Sequence, residues 1–453
     1  MSDPDLRGAL TLAEYAPGEA AVLTDAERWP TIDAAGAARL TRWRAHPDAP
    51  HWTHATGDRL SAEQIDRVRQ PLSTTGWLAE HLDAARRTLR YRGMPTDAAL
   101  EDFPTISRAD LVDDLAAFVP LDADLSRMLH GTSSGSTGAA LLIPDDVEEV
   151  ARGFHLLVAL AASVGAVVRA DGERMAVANL VFQQQAFTYV SVISSFAHRA
   201  MARLNLHPSS WVDVASRDRF LADADPQILS GHPTSLAELL DAGLDSVLHP
   251  TVIFSGAMAL SAPLRARLEA AFACPVIDVY GLHETRPIAA RTDDGPFRML
   301  DRRVHVEVLD PRRDVAVRPG AVGEIVVTAG ENPLLPLVRY RTGDFGRLVT
   351  LDDGAFGIAD LEGRDNTRFR AADGTLVPCV ELTQQLQARG ALGWSIEQHA
   401  DGRLHAVIAG GDEAGIRLAL TALLGVPIEL RRVERLIDLG EGKPRRYRST
   451  VPD

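Results

Sequence analysis

The segment Thr251-Val252-Ile253-Phe254, then 262–272, then Val276-Ile277-Asp278-Val279-Tyr280 decides the fold class. Two short runs of apolar and β-branched residues flank a stretch with apolar residues at helical spacing. A strand, a helix and a second strand in succession make a βαβ unit, whose strands lie parallel. The alternation continues outward: residues 175–180 read as a strand, 226–230 as a short one, and a helix starts near Thr234. An α/β domain with a largely parallel sheet is expected. Upstream, residues 1–100 carry Ala, Arg and Asp at helical spacing, as in Trp77-Leu78-Ala79-Glu80-His81-Leu82, and read as a helical N-terminal region. The most apolar stretch, 156–168, reads as a buried helix opened by Asp145-Asp146. From about Val304 the pattern turns to short strands, with Gly323-Glu324-Ile325-Val326-Val327-Thr328 the clearest. Residues 363–453 mix strands such as 405–409 with helices such as 414–424. The expected division is a large domain over 1–362, with a β-rich subdomain over about 304–362, and a small α+β domain over 363–453.

Composition narrows the classes. The chain has 453 residues, 46% hydrophobic and 24% charged, enough for more than one domain. A net charge of −15 argues against a nucleic-acid partner or an anionic membrane surface. No apolar run is long enough to span a bilayer, and the acidic start Met1-Ser2-Asp3-Pro4-Asp5 does not read as a signal peptide. A cytoplasmic protein is expected. Cys274 and Cys379 lie too far apart in sequence for a cysteine-rich zinc site and read as small buried hydrophobes.

Lys and Arg number 47, and only Lys443 is lysine. Arg has replaced Lys almost everywhere, yet a site needing a compact point charge on a flexible stem cannot accept the exchange. Lys443, in Gly440-Glu441-Gly442-Lys443-Pro444, is therefore a candidate for chemistry, against chance survival of a solvated residue. The loop Thr132-Ser133-Ser134-Gly135-Ser136-Thr137-Gly138 is a second signal. Its small residues leave backbone N–H groups uncovered, and its hydroxyls add donors, which suits phosphate. No Lys follows the last glycine, so it is not a Walker loop. Tyr280-Gly281-Leu282-His283-Glu284-Thr285 follows a strand, where ligands bind in open α/β sheets. Tyr280 offers a stacking face and Glu284 a carboxylate for Mg²⁺. In Tyr340-Arg341-Thr342-Gly343-Asp344 the Asp344 carboxylate suits paired ribose hydroxyls; a hairpin turn is the plain alternative.

The order of these motifs resembles the acyl-adenylate-forming superfamily. Phe103-Pro104-Thr105-Ile106-Ser107-Arg108-Ala109-Asp110-Leu111 and the short N-terminal region resemble its phenylacetate–coenzyme A ligase branch. The resemblance covers roughly residues 100–450. It implies that the small C-terminal domain is mobile. Ser133, Ser134, Gly135, Ser136, Thr137 and Gly138 would cradle the β- and γ-phosphates of ATP. Ser255, Gly256 and Ala257 would lie along adenine and the acyl pocket; Tyr280, with Gly281 behind it, would stack on adenine. Glu284 would ligate Mg²⁺, Asp344 the ribose, and Arg364 the ribose or phosphate. Lys443 would bridge the substrate carboxylate and the α-phosphate.

The implied activity is ATP-dependent adenylation of a carboxylic acid, with coenzyme A as the second substrate. Phe182, Gln184, Tyr189, His232 and Phe254 read as an acyl pocket for an aromatic acid, and equally as core. Four departures keep other outcomes open. Gly138-Ala139-Ala140-Leu141 lacks the family's proline or lysine. His283 replaces a Thr or Ser and reads either as a catalytic contact to the phosphate or acid, or as polar filler. Asn366 stands for the hinge Asp, and Arg370-Ala371-Ala372-Asp373-Gly374 replaces an Arg-Gly turn. The alternatives are an amine or carrier-protein acceptor, nitrite in place of the acid, and a non-catalytic nucleotide-binding relic. A homodimer stays open.

Overall fold

A computed structural model describes residues 23–134, 140–363, 367–440 and 446–450. Predicted positions Gly135, Ser136, Thr137, Gly138, Arg364 and Lys443 lie outside them, as does Asn366.

A hairpin of β1 (Leu129–Ser134) and β2 (Ala140–Asp145) comes first. Twelve strands then form one sheet. They are β3 (Val177–Val181), β4 (Tyr189–Ile193), β5 (Arg199–Asn205), β6 (Ile228–Gly231), β7 (Val252–Gly256), β8 (Val276–Leu282), β9 (Arg286–Arg291), β10 (Phe297–Met299), β11 (Val304–Leu309), β12 (Gly323–Ala329), β13 (Leu337–Thr350) and β14 (Phe356–Glu362). The spatial order is β11-β12-β13-β14-β10-β9-β8-β7-β6-β3-β5-β4. The run β5-β3-β6-β7-β8 is parallel and the remaining pairs are antiparallel. The expected mixed α/β fold is thus observed, and the antiparallel strands from 286 to 362 are hydrogen-bonded into the same sheet.

Period-two alternation explains how the parallel strands are covered. Ala178, Leu229, Ile253 and Val276 face one side, with Phe220, Leu221, Leu236, Leu239, Leu264 and Leu268 from helices Val214–Ala224, Pro233–Asp241 and Ala262–Phe272. Val177, Ile228, Val252, Phe254 and Ile277 face the other, with Phe154, Leu157 and Val158 from helix Val147–Ser163. Asp146 caps that helix by accepting from the N–H groups of Glu148 and Glu149. The expectation of a buried helix is corrected here. Only one side meets the sheet, and Val150 and Val167, on the helix and just past it, are exposed. The apolar run is longer than the contact it makes.

Residues 367–450 form a four-stranded sheet of β17 (Ala391–Gln398), β18 (Leu404–Gly410), β19 (Ile428–Val433) and β20 (Tyr447–Ser449), after a small hairpin, β15 (Arg368–Arg370) and β16 (Leu376–Pro378). Ala406 and Ile408 face this lobe's own helices, Cys379–Gln387 and Glu413–Leu424. Val407 and Ala409, one residue out of phase, join Val433 and Leu436 in the large lobe's core. A fully buried Val or Leu side chain contributes about 1.5–3 kcal/mol, and an Ala methyl about 0.8 kcal/mol. Cys274 and Cys379 are buried thiols outside any disulfide, their pKa pushed up to about 12 by burial. No helix among the described residues is long and apolar enough to cross a membrane.

Candidate active site

Parallel pairing aligns the carboxyl ends of the central strands. Leu180 pairs with Gly231, Gly231 with Ser255, and Ser255 with Asp278. The next residues, including His232, Gly256, Ala257 and Tyr280, therefore emerge along one edge, where open α/β sheets bind ligands. A cavity of about 460 Å³ opens there. Its walls include Ala257, Tyr280, Gly281 and Asp344 from the predicted set, and Asp278, Arg291, Glu362 and Arg446 besides. Ala257 has φ +63°, a left-handed conformation that a non-glycine residue holds only where its surroundings enforce it. Ser255 is buried, and its hydroxyl has no hydrogen-bond partner among the described residues.

Asp344 reaches the cavity through an irregularity in β13. Val326 pairs with Arg341 while Glu324 pairs with Phe345, so extra residues are looped out at Thr342-Gly343-Asp344. Gly343 takes φ +75°, as such a bulge requires. Thr342 Oγ1 donates to Ile325 O at 2.8 Å and accepts from the Asp344 N–H at 3.0 Å. The motif therefore lies within a strand, not at the hairpin turn that was its plain alternative. The Tyr280 hydroxyl donates to Asp344 Oδ2 at 3.0 Å.

Residues His283, Glu284 and Thr285 form the turn between β8 and β9. A Cβ on Gly281 would lie 2.4 Å from Arg286 O, so only glycine fits that close strand approach. Glu284 is nearly enclosed and accepts from Arg108 Nη1 at 2.8 Å and from Tyr340 Oη at 3.4 Å. One carboxylate with substrate phosphates is an ordinary Mg²⁺ donor set, so Glu284 fits that ion without an all-protein cage. Arg108 was not identified by sequence reasoning, although it stands in the segment 103–111 that carries the branch resemblance.

His283 packs against the β1–β2 hairpin. A Cβ on Gly131 would fall 2.3 Å from its Cε1 and Nε2. Nε2 lies 3.5 Å from Asp145 Oδ2. Asp145 and Glu149 share Arg286, at 2.5 and 2.8 Å. Burial raises the Glu149 carboxyl, against the pull of Arg286. Ser133 and Ser134 are the last two residues of β1, paired with Leu141 and Ala140.

Asp278 is fixed by Arg291, whose Nε and Nη2 donate at 3.0 and 2.9 Å. Burial still lifts its carboxyl above the usual range. Glu362 is raised for the same reason. The proposed acyl-pocket residues are not gathered into this cavity. Phe182 joins the core beside His207, Phe254 faces the sheet side under helix Val147–Ser163, and Tyr189 meets His54. His232 caps helix Pro233–Asp241 by accepting from the Ser235 N–H, while Gln184 is exposed.

Residues 133–332 match the family model described as AMP-binding enzyme. The phenylacetate-coenzyme A ligase of Aromatoleum evansii is 24% identical over 316 residues, 65% of this chain and 68% of that protein. That of Pseudomonas putida is 26% identical over 315 residues, with the same shares. Among solved structures, a 2-hydroxyisobutyryl-CoA ligase in the postadenylation state superimposes with a TM-score of 0.57 at 16% identity, over 85% of this chain and 88% of that one. At that identity the likeness shows the fold.

Proposed function

We propose that the chain is an adenylating enzyme of the acyl-adenylate-forming superfamily, on its phenylacetate–coenzyme A ligase-like branch, and that it activates an aromatic carboxylic acid with ATP and transfers the acyl group to coenzyme A. The observation that carries this is the cavity at the strand ends, where Tyr280 and Asp344 are bonded to one another. The ring of Tyr280 serves the adenine and the Asp344 carboxylate the ribose hydroxyls. Ser133, Ser134, Gly135, Ser136, Thr137 and Gly138 hold the phosphates, with Arg364 beside the ribose. Ser255, Gly256 and Ala257 line the junction of adenine and acyl group.

In the first step a carboxylate oxygen bonds to the α-phosphorus and pyrophosphate leaves. In the second the thiol sulfur bonds to the acyl carbon and AMP leaves. Both partners in the first step are anions, so Lys443 would offset their repulsion. A Mg²⁺ held by Glu284 would supply further charge stabilisation to the phosphates. Residues 1–362 and 363–453 are the two moving parts; of Phe182, Gln184, Tyr189, His232 and Phe254, His232, which follows the aligned strand ends, stays a candidate to shape acid selectivity. The acidic charge and buried thiols fit a cytoplasmic setting.

The His283–Asp145 pair favours a second reading of the acceptor. An ammonium nucleophile must lose a proton before it attacks, and an imidazole beside a carboxylate can take it. AMP release that depends on an amine and ignores coenzyme A would support that reading.

The test is acid-dependent exchange of labelled pyrophosphate into ATP, in wild type and Lys443→Ala. Exchange lost in the variant supports adenylation, and loss of one positioned charge should cost about 10²–10³ in rate. ATP binding without exchange on any acid would remove the reading.

A further inference from the structure

Arg446 lies where the two lobes meet over the cavity. Its Nη2 donates to Ala259 O at 2.7 Å, and its guanidinium sits 4.5 Å from the centre of the Trp394 ring. Ala259 belongs to the turn 257–260 that lines the cavity and begins at the left-handed Ala257. Two residues on, Ser261 Oγ donates to Leu392 O at 2.8 Å, so this turn is tied twice to the small lobe. The anchor behind Arg446 is firm. Tyr447 is buried, accepts the Trp394 indole N–H at 2.8 Å, and lies 2.6 Å from Thr383 Oγ1. Thr383 in turn donates to Glu362 Oε1 at 3.4 Å, and both line the cavity. The guanidinium also faces the carboxylates of Asp278 and Glu362. A planar fork fits this slot, with one face on an indole and one edge on a carbonyl.

We propose that Arg446 is a positioning residue that clamps the small lobe onto the turn 257–260 for the adenylation step. The inference rests on the adenylating reading above, and adds that cavity geometry depends on this contact. A salt bridge of Arg435 with Glu238, together with the apolar seam of Val407, Ala409, Val433 and Leu436, keeps the lobes docked. Loss of Arg446 therefore loosens the turn without undocking the lobe.

The experiment uses the full chain as wild type, Arg446→Met and Arg446→Lys. Three quantities are read: acid-dependent pyrophosphate exchange, conversion of presynthesised acyl adenylate by coenzyme A, and melting temperature. Arg446→Met should lose about 10²-fold in the kcat of exchange, as for a misplaced reacting group. Its KM for ATP, its melting temperature and its use of presynthesised adenylate should stay near wild type, and Arg446→Lys should recover part of the exchange. Wild-type exchange with an unaffected Arg446→Met overturns the clamp alone. So does a parallel fall of both half-reactions with a lowered melting temperature, which marks a merely structural role. A wild type silent with every acid overturns the adenylating reading and the clamp together.

Discussion

The hydroxyl of Tyr280 donates to the carboxylate of Asp344 at 3.0 Å, joining the end of one strand to the bulge of another. A hydrogen bond to a charged group contributes about 1.5–3 kcal/mol. Tyr280→Phe keeps the ring and loses the bond. It should raise the KM for ATP in pyrophosphate exchange by about tenfold or more, at 1.4 kcal/mol per decade. An unchanged KM would mean that the bond does not hold Asp344 in place.

The Arg108–Glu284 ion pair, at 2.8 Å and largely buried, is a stability determinant. Removing one partner of a buried pair leaves an uncompensated charge, typically costing about 3–5 kcal/mol. Arg108→Met should lower the urea midpoint sharply, and the double variant Arg108→Met/Glu284→Gln should recover much of the loss. Equal midpoints for Arg108→Met and wild type would contradict this.

Gly131 lets the His283 ring lie against the β1–β2 hairpin. Gly131→Ala places a methyl where that ring now sits. The obstacle is the end of a side chain, so the cost should fall on function more than on stability. Pyrophosphate exchange should drop while the melting temperature stays near wild type, and Gly131→Ala/His283→Ser should regain activity. A single variant with full exchange would show that the position of His283 is immaterial.

His81 is buried, with Nε2 at 2.9 Å from Leu337 O, and burial lowers its pKa from 6.5 to about 4. A depressed pKa means that the unfolded chain binds the proton first as pH falls. The contribution is present above pH 6.5 and lost on descent to about pH 4. At 1.36 kcal/mol per unit, that is about 3 kcal/mol. The wild type should therefore lose more stability than His81→Gln between pH 7 and pH 4 in urea titrations. Parallel curves would contradict the assignment.

Much of this arrangement was legible in the sequence, for physical reasons. Strands with β-branched residues between turn signals, such as β7 and β8, announce themselves locally, as does the helix between them. Tyr280 and Asp344, which line one cavity, stand out in the sequence because each sits in a short motif with a glycine that serves the backbone. The helix expected to be buried failed because apolarity reports what can be buried, not how much surface is offered to it. Arg108 and Arg446 were missed because their partners, Glu284 and Ala259, lie far away in the chain, and one arginine among 46 carries no local mark. The scatter of Phe182, Gln184, Tyr189, His232 and Phe254 has the same origin. Aromatic and amide residues near strand ends serve cores and pockets alike.

On the proposed function, an acid and ATP combine on this protein into a mixed anhydride. The most direct measurement is a single turnover with stoichiometric enzyme, ATP and a panel of aromatic acids, quenched and read by mass spectrometry. The prediction is an adduct of the acid with AMP, formed with pyrophosphate in the absence of coenzyme A and consumed when coenzyme A is added. ATP recovered intact with every acid, or ADP in place of AMP, would contradict it.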